Sequence, residues 1–400
     1  MSLVYIAPFD ETFTPTISGA IATVIWEHCR QAQIQGIAPH VIAAQSAAAP
    51  FAWANTILLP LPPQPTQGWK FVMARLHRKL FGWTHMNHHL WAAGVGRELK
   101  QRQLTDLPIV VSNDPDLAVY LRSHFPNAFI AHFFQAQLES KPRVRKAYQN
   151  AVSLTLGVSD FTSRWVEEHY SLPENSAQTI YNGVDVEQFF PASDAPQNPA
   201  TPAPIVINYV GRLGREKALD TLLLAALQAA DSCPPFAIQI AGSNSGSNYI
   251  LDDYQKEIHE LADQLKARGV SVEFAGHLSR EEVPRQLRKA HINVVPSRWD
   301  EAFGIATLEG MACGLATIAS RTGGTPEVVG DAGFLFERDD VETLAKHLIA
   351  FLNDDALRLE YSRLGSERAQ SLTWRHAWLN LRQTLEQNGC TLENNHPNHP

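Results

Sequence analysis

The chain has 400 residues, is 44% hydrophobic and 18% charged, and carries a formal net charge of −8. That length predicts two or three domains with sizeable cores, in an ordinary globular composition. The acidic balance argues against general nucleic-acid affinity. Its four cysteines, Cys29, Cys233, Cys313 and Cys390, are dispersed and form no C-x-x-C pair, which suggests neither a metal site nor a disulfide framework.

The N-terminal residues turn polar too soon for a signal peptide and read as a first buried strand, Leu3–Ala7. No apolar run is long enough to span a bilayer, and the dispersed cysteines make a reducing cytosol the expected setting. A helix-length pattern covers 18–35, and further strands are expected at Val41–Ala44, Ile109–Val111, Ala128–Ala131 and Ser153–Gly157. Between them, residues 66–102 are basic and aromatic: Lys70, Arg75, Arg78, Lys79, Arg97, Lys100 and Arg102 face only Glu98, with Trp69, Phe71, Trp83 and Trp91 interleaved. The first reading is a core-facing helix with a basic solvent face. Such a stretch could also lie on an anionic membrane surface or line a cleft for an anionic acceptor. Asn182-Gly183-Val184-Asp185 predicts a tight turn.

Five prolines fall within the fourteen residues 191–204, a density that excludes helix and central strand and predicts an extended linker. Beyond it, strands are expected at Ile205–Val210, Ala237–Ala241, Ser271–Phe274 and Ile292–Val295, with helices over 219–230, 252–268 and 305–313. Strands alternating with helices predict two doubly wound α/β domains with parallel sheets. The expected division is 1–190, linker 191–204, 205–370, and a last segment 371–400. Trp374, Trp378, Leu381 and Leu385 stand at helical spacing there and read as core packing, before a polar tail.

Two motifs carry chemistry. In residues 293–314 an apolar strand enters a loop with Glu301, then a Phe303-Gly304 turn, then a helix carrying Glu309. Free amides at that helix start favour an anion, and Gly304 lets a phosphate approach the backbone. Two carboxylates flanking an anion make sense when they face hydroxyl groups, so the pattern suggests a nucleotide-sugar pocket. The second motif runs from Tyr209 to Lys217: a strand ends at Gly211, and Arg212 and Lys217 follow in the βα loop, where a diphosphate would lie.

These residues resemble the retaining glycosyltransferases of family 4, which have the GT-B fold. Glu301 and Glu309 match the family's E-x7-E signature, flanked by Pro296-Ser297 and Met311-Ala312-Cys313-Gly314. Val210-Gly211-Arg212-Leu213 with Lys217 matches V-G-R-L-x-x-x-K-G, with Ala218 in place of the last glycine. The resemblance implies two Rossmann-like domains facing a cleft and a last helix crossing back to the first. It implies that Arg212 and Lys217 neutralise the donor diphosphate near Gly211, and that Glu301 contacts the donor sugar. It implies that Glu309 binds the ribose, and that the turn residues Phe303, Gly304, Ile305 and Ala306 line the donor. His277 and Leu278 would hold the base, His132 would stand near the donor sugar, and Gly19 would approach the phosphate or acceptor. Gly242 and Gly246 match the family's Gly-rich loop only loosely, and Gly323-Gly324-Thr325-Pro326-Glu327 reads as structural.

The expected activity is transfer of a hexose, with retention, from a nucleoside-diphosphate sugar (a UDP-sugar first) to a glycan, lipid-linked or small-molecule acceptor. Asp114-Pro115-Asp116 forms a D-x-D, the metal motif of the other large glycosyltransferase fold, but here it reads as a helix cap. No metal and no other cofactor is therefore expected. A sugar-nucleotide epimerase on the same scaffold and a non-catalytic nucleotide-sugar-binding subunit are the alternatives.

Overall fold

The computed structural model describes residues 2–392 apart from 10, 16–18, 54, 62–85, 193–203, 243–252 and 391. The first part of the basic aromatic stretch, nearly all of the Pro-rich segment, Gly246 and the C-terminal tail lie outside the described residues. The chain forms two units, Met1–Tyr181 with Trp374–Pro400, and Asn182–Thr373.

The first unit is built on seven parallel strands: β1 (Val4–Ile6), β2 (His40–Ala44), β3 (Thr56–Leu59), β4 (Ile109–Ser112), β5 (Ile130–Phe134), β6 (Leu154–Gly157) and β7 (Ala177–Thr179). Their spatial order is β3-β2-β1-β4-β5-β6-β7, so the winding reverses between β1 and β4. β1, β4, β5 and β6 are buried along their whole length, as expected for parallel strands covered on both faces. The last helix, Trp374–Gln387, packs on the helix Ala20–Ile34 of this unit. Trp374 and Trp378 are buried around His28, with ring centroids 6.1 and 6.4 Å away. Burial lowers the pKa of His28 to about 3, so the ring is neutral, and it bonds the Tyr5 hydroxyl at 3.1 Å.

The second unit has six parallel strands: β8 (Ile205–Val210), β9 (Phe236–Ala241), β10 (Ser271–Gly276), β11 (Ile292–Val295), β12 (Ala316–Ser320) and β13 (Phe334–Phe336). Their order, β10-β9-β8-β11-β12-β13, reverses between β8 and β11. Both units thus have the doubly wound Rossmann arrangement, in which ligands bind outside the carboxyl ends of the strands at the reversal point. Residues 182–190, ahead of the Pro-rich stretch, belong to the second unit. Val184 pairs with Thr373, and the Gln188 carbonyl accepts from Arg288 at 3.0 Å.

Four strands have no counterpart in the sequence reading: β3, β7, β12 and β13. β12 is Ala-Thr-Ile-Ala-Ser, buried throughout; its small residues carry little strand propensity, and position between two neighbours makes it a strand. β3, β7 and β13 are short edge strands. Among the described residues no helix is long and apolar enough to cross a membrane.

Candidate active site

In the second unit the reversal point brings together the loops after β8 and β11. Backbone bonds carry the sheet past its strand ends: Gly211 N–H donates to Ala241 O at 3.0 Å, and Gly242 N–H to Gly276 O at 2.7 Å. Gly242 has φ +146°, and a Cβ there would overlap the Gly211 carbonyl oxygen. A side chain is therefore excluded where these backbones cross.

After Gly211 the chain makes a 3-10 turn, Arg215–Lys217, closed by Ala218 in the left-handed region at φ 52°. This explains the glycine usual at that position: Ala218 accepts a conformation that costs an L-residue roughly 1–2 kcal/mol. The turn aims Lys217 at the β11 loop, where its Nζ lies 2.5 Å from Glu301 Oε1 with both side chains about four-fifths shielded. Arg212 is more open, with its side chain 63% exposed and a 3.3 Å pair to Glu216. Two cations and Glu301 therefore share the mouth of one switch point, although 84 residues separate Lys217 from Glu301.

Beyond Glu301 the ring of Phe303 is buried and anchors the turn in the core. Gly304 sits at φ 103° as the N-cap of the helix Ile305–Ala312, without a side-chain cap. The first amides of a helix have no intrahelical acceptor, so Ile305 and Ala306 present donors, aided by the dipole. Two buried hydroxyls converge on the same spot: a Cβ on Gly304 would lie 3.3 Å from Thr325 Oγ1 and 3.5 Å from Thr307 Oγ1. Neither hydroxyl has a hydrogen-bond partner among the described residues. Buried polar atoms are rarely left unpaired without reason, and a bound oxyanion would supply the missing acceptor.

Gly323 and Gly324, read from sequence as structural, hold Glu301 itself. Gly324 N–H donates to Glu301 O at 2.7 Å. A Cβ on Gly323, which has φ +55°, would overlap that same oxygen and lie 2.6 Å from Glu301 N.

Glu309 lies half-buried on the helix. Burial pushes its carboxyl up to about 7, and the positive charge of Arg280 partly offsets this. The folded chain thus holds the Glu309 proton more tightly than the unfolded chain does. Its contribution to stability is greatest below the ordinary glutamate range and declines as pH rises through about 7. Glu309→Gln should therefore raise the melting temperature at pH 8, by about 2 °C or more for each kcal/mol relieved, and by much less at pH 4.5. Scanning calorimetry at the two pH values checks this; an equal effect at both would mean that ionisation of Glu309 costs the fold nothing.

His277 is exposed and Leu278 half-buried in the loop after β10, following Gly276 at φ 71°. In the first unit Gly19 is exposed at the start of the helix Ala20–Ile34. The carboxylate of Glu11 already occupies that helix start, accepting from Ala22 N–H at 2.7 Å. His132 on β5 is fully buried. Its Nε2 accepts from Asp114 N–H at 2.9 Å, which fixes the tautomer, and its Nδ1–H faces the Tyr148 hydroxyl at 2.9 Å. Burial, opposed by the charge of Asp114, lowers its pKa to about 3. It is a neutral ring with both nitrogens engaged. Asp114 caps the helix Pro115–His124 through Leu117 N–H at 2.9 Å and pairs with His88 at 2.7 Å. Among the described residues no group of three or more His, Cys, Asp or Glu has an arrangement that could hold a metal ion.

Sequence reasoning missed Glu11, Thr307, Thr325 and Arg298. Arg298, in the loop after β11, bonds Asp220 in the helix that follows β8 and Asp339 in the loop after β13.

The profile of the glycosyl transferases group 1 matches residues 192–368, and that of glycosyltransferase family 4 matches residues 21–188. The D-inositol 3-phosphate glycosyltransferase of Nocardiopsis dassonvillei is 27% identical over 297 residues, 72% of this chain and 66% of the relative. Spore coat protein SA of Bacillus subtilis is 23% identical over 76% of this chain and 84% of its own. The phosphatidyl-myo-inositol mannosyltransferase of Mycolicibacterium smegmatis is 30% identical over 58% of this chain and 56% of its own. The chain thus spans just under two thirds of the first of these relatives, and little more than half of the third. Two solved structures share the fold. Sucrose-phosphate synthase of Thermosynechococcus elongatus has a TM-score of 0.71 at 20% identity, covering 97% of this chain and 99% of its own. Anabaena Alr3699/HepE in complex with UDP has a TM-score of 0.71 at 16% identity, covering 97% and 100%.

Proposed function

We propose that this chain, which belongs to glycosyltransferase family 4 with the GT-B fold, is a glycosyltransferase that moves a hexose, with retention, from a nucleoside-diphosphate sugar to a hydroxyl of a glycan, lipid-linked or small-molecule acceptor. The observation that carries the reading is the arrangement at one reversal point. Lys217, paired with Glu301, and Arg212 follow β8, while the open amides of Ile305 and Ala306 follow β11, with the Thr307 and Thr325 hydroxyls close to Gly304. That is a set of donors and cations suited to a diphosphate. Glu301 and Glu309, on either side, supply acceptors for sugar and ribose hydroxyls.

The bond between the anomeric carbon and the phosphate oxygen breaks, and its electron pair stays on the diphosphate. Lys217, Arg212 and the amides stabilise that growing charge, and such preorganised donors are commonly the largest catalytic contribution. The acceptor hydroxyl attacks from the same face, and its proton passes to the leaving oxygen. Glu301 orients the hexose, and Lys217 holds Glu301 in place before the donor arrives. His132, buried and neutral, acts through Asp114 as a positioning residue in the first unit. The base lies against the loop of His277 and Leu278. UDP is the first nucleotide to test; the fold-neighbour HepE has been crystallised with it and with UDP-glucose.

A thermal-shift screen against nucleoside diphosphates, followed by an assay for nucleotide release with and without acceptors, tests the reading. Acceptor-dependent release is expected. Isomerised donor without an acceptor would point to an epimerase, and tight binding without turnover to a binding subunit. We further propose that the cations and amides do the work a metal does elsewhere, so activity should persist in excess EDTA. Loss of activity with rescue by Mn²⁺ or Mg²⁺ would overturn that and return Asp114 and Asp116 to consideration.

A further inference from the structure

Arg298, in the loop after β11, is held from several directions. Its Nε bonds Asp339 Oδ1 at 2.5 Å, and its Nη1 bonds Asp220 Oδ1 and the Arg215 carbonyl, both at 2.9 Å. Its Nη2 bonds Asp220 Oδ2 at 2.7 Å and Thr221 Oγ1 at 3.1 Å. The main chain adds to this, since Arg298 N–H and Trp299 N–H both donate to Glu216 O, at 2.8 and 3.2 Å. The guanidinium thus forms a bidentate fork on Asp220, and one further bond, from Nη1 to the Arg215 carbonyl, ties it to the Arg215–Lys217 turn.

Asp220 is itself buried and bonded by the Tyr254 hydroxyl at 2.6 Å. Burial pushes its carboxyl up, but the hydrogen bonds from Arg298 and Tyr254 outweigh this and hold it below its usual range. Tyr254 also lies under the guanidinium of Arg215, 4.7 Å from ring centroid to Cζ. The turn that ends in Lys217 and the loop that leads to Glu301 are therefore locked through one side chain. Two residues lie between Arg298 and Glu301, and Lys217 directly follows the two carbonyls that the 298–299 segment caps.

We propose that Arg298 is a positioning residue that sets the register of Lys217 against Glu301, and through it the rate of transfer. The proposal rests on the donor-site reading above. Lys cannot reproduce the planar fork, so Arg298→Lys keeps the charge and loses the register. Three measurements on the full chain test it. First, amine-reactive labelling followed by mass spectrometry should show Lys217 protected in the native chain and at least about threefold more reactive in Arg298→Lys. Lys256, whose side chain is 59% exposed, should not change. This readout does not depend on any donor. Second, turnover by the folded Arg298→Lys chain should fall about 10²-fold, the scale expected for a shift near 1 Å at a reacting site. Affinity for the free nucleoside diphosphate should fall less than about tenfold, because the helix amides and Glu309 remain. Third, millimolar guanidinium should restore part of the turnover of Arg298→Ala.

A purely structural role would lower the melting temperature of Arg298→Lys while leaving Lys217 labelling and turnover per folded molecule within about threefold of native. That result overturns the proposal. Altered Lys217 labelling in a chain that neither binds nor turns over any sugar nucleotide would instead preserve the register and sink the donor-site reading.

Discussion

Lys217→Ala should lower turnover by about 10²- to 10³-fold, the range seen when a preorganised donor to developing charge is removed. The structure gives two reasons for placing the effect at the upper end. Lys217 is largely shielded, so its charge is less screened than that of a surface lysine. It also neutralises Glu301 before the donor binds. Without it, an unpaired carboxylate would face the incoming phosphates, and repulsion would add to the lost attraction. Arg212→Ala should have a smaller effect, because its side chain is 63% exposed and already paired with Glu216. Initial rates at saturating donor decide this, and near-normal turnover in both variants would remove the cationic clamp from the account.

Gly323→Ala should be almost as damaging, although residue 323 carries no functional group. At φ +55° an L-residue costs roughly 1–2 kcal/mol. The added methyl would also overlap a backbone oxygen, that of Glu301, which no rotamer change can move away. The Glu301 segment must therefore shift, and a displacement of about 1 Å there is expected to lower turnover about 10²-fold. Gly269→Ala is the matched control, since it has φ +84° and, among the described residues, no atom within 4 Å of the added carbon. It should lose stability by a similar conformational cost and keep its rate. If both variants lose stability equally and keep full turnover, the Gly-Gly pair does not position Glu301.

Much of the fold and the core of the candidate site were legible in the sequence, for physical reasons that can be named. A strand buried on both faces must be largely apolar, and Ile205–Val210 and Ile292–Val295 show this, each with a single asparagine (Asn208 and Asn293, which bond each other at 3.2 Å). The loops that follow such strands in a doubly wound sheet gather at one edge, so Arg212, Lys217, Glu301 and Gly304 could be assigned to one pocket. What stayed hidden depended on tertiary position. Ala316–Ser320 has only Thr317 and Ile318 of strand-favouring type among small residues, and its place between β11 and β13 makes it a strand. Arg298 lies 78 residues from Asp220 and 41 from Asp339, so nothing local announces its role. Glu11 takes the helix start at Gly19 from outside the motif. His132 lies in the middle of β5 and not at a strand end, and its side chain points to Asp114 and Tyr148, a direction that strand periodicity alone does not settle for a strand buried on both faces.

The most direct test is calorimetric titration of the native chain and of Lys217→Ala with UDP, GDP and ADP. The account predicts that one of these nucleotides binds the native chain at a single site, and that Lys217→Ala weakens this binding by about tenfold or more, since hydrogen bonds to charged groups contribute about 1.5–3 kcal/mol. Absence of binding to the native chain by all three at millimolar concentration, or equal affinity in the two chains, would contradict a diphosphate site at the β8 and β11 strand ends.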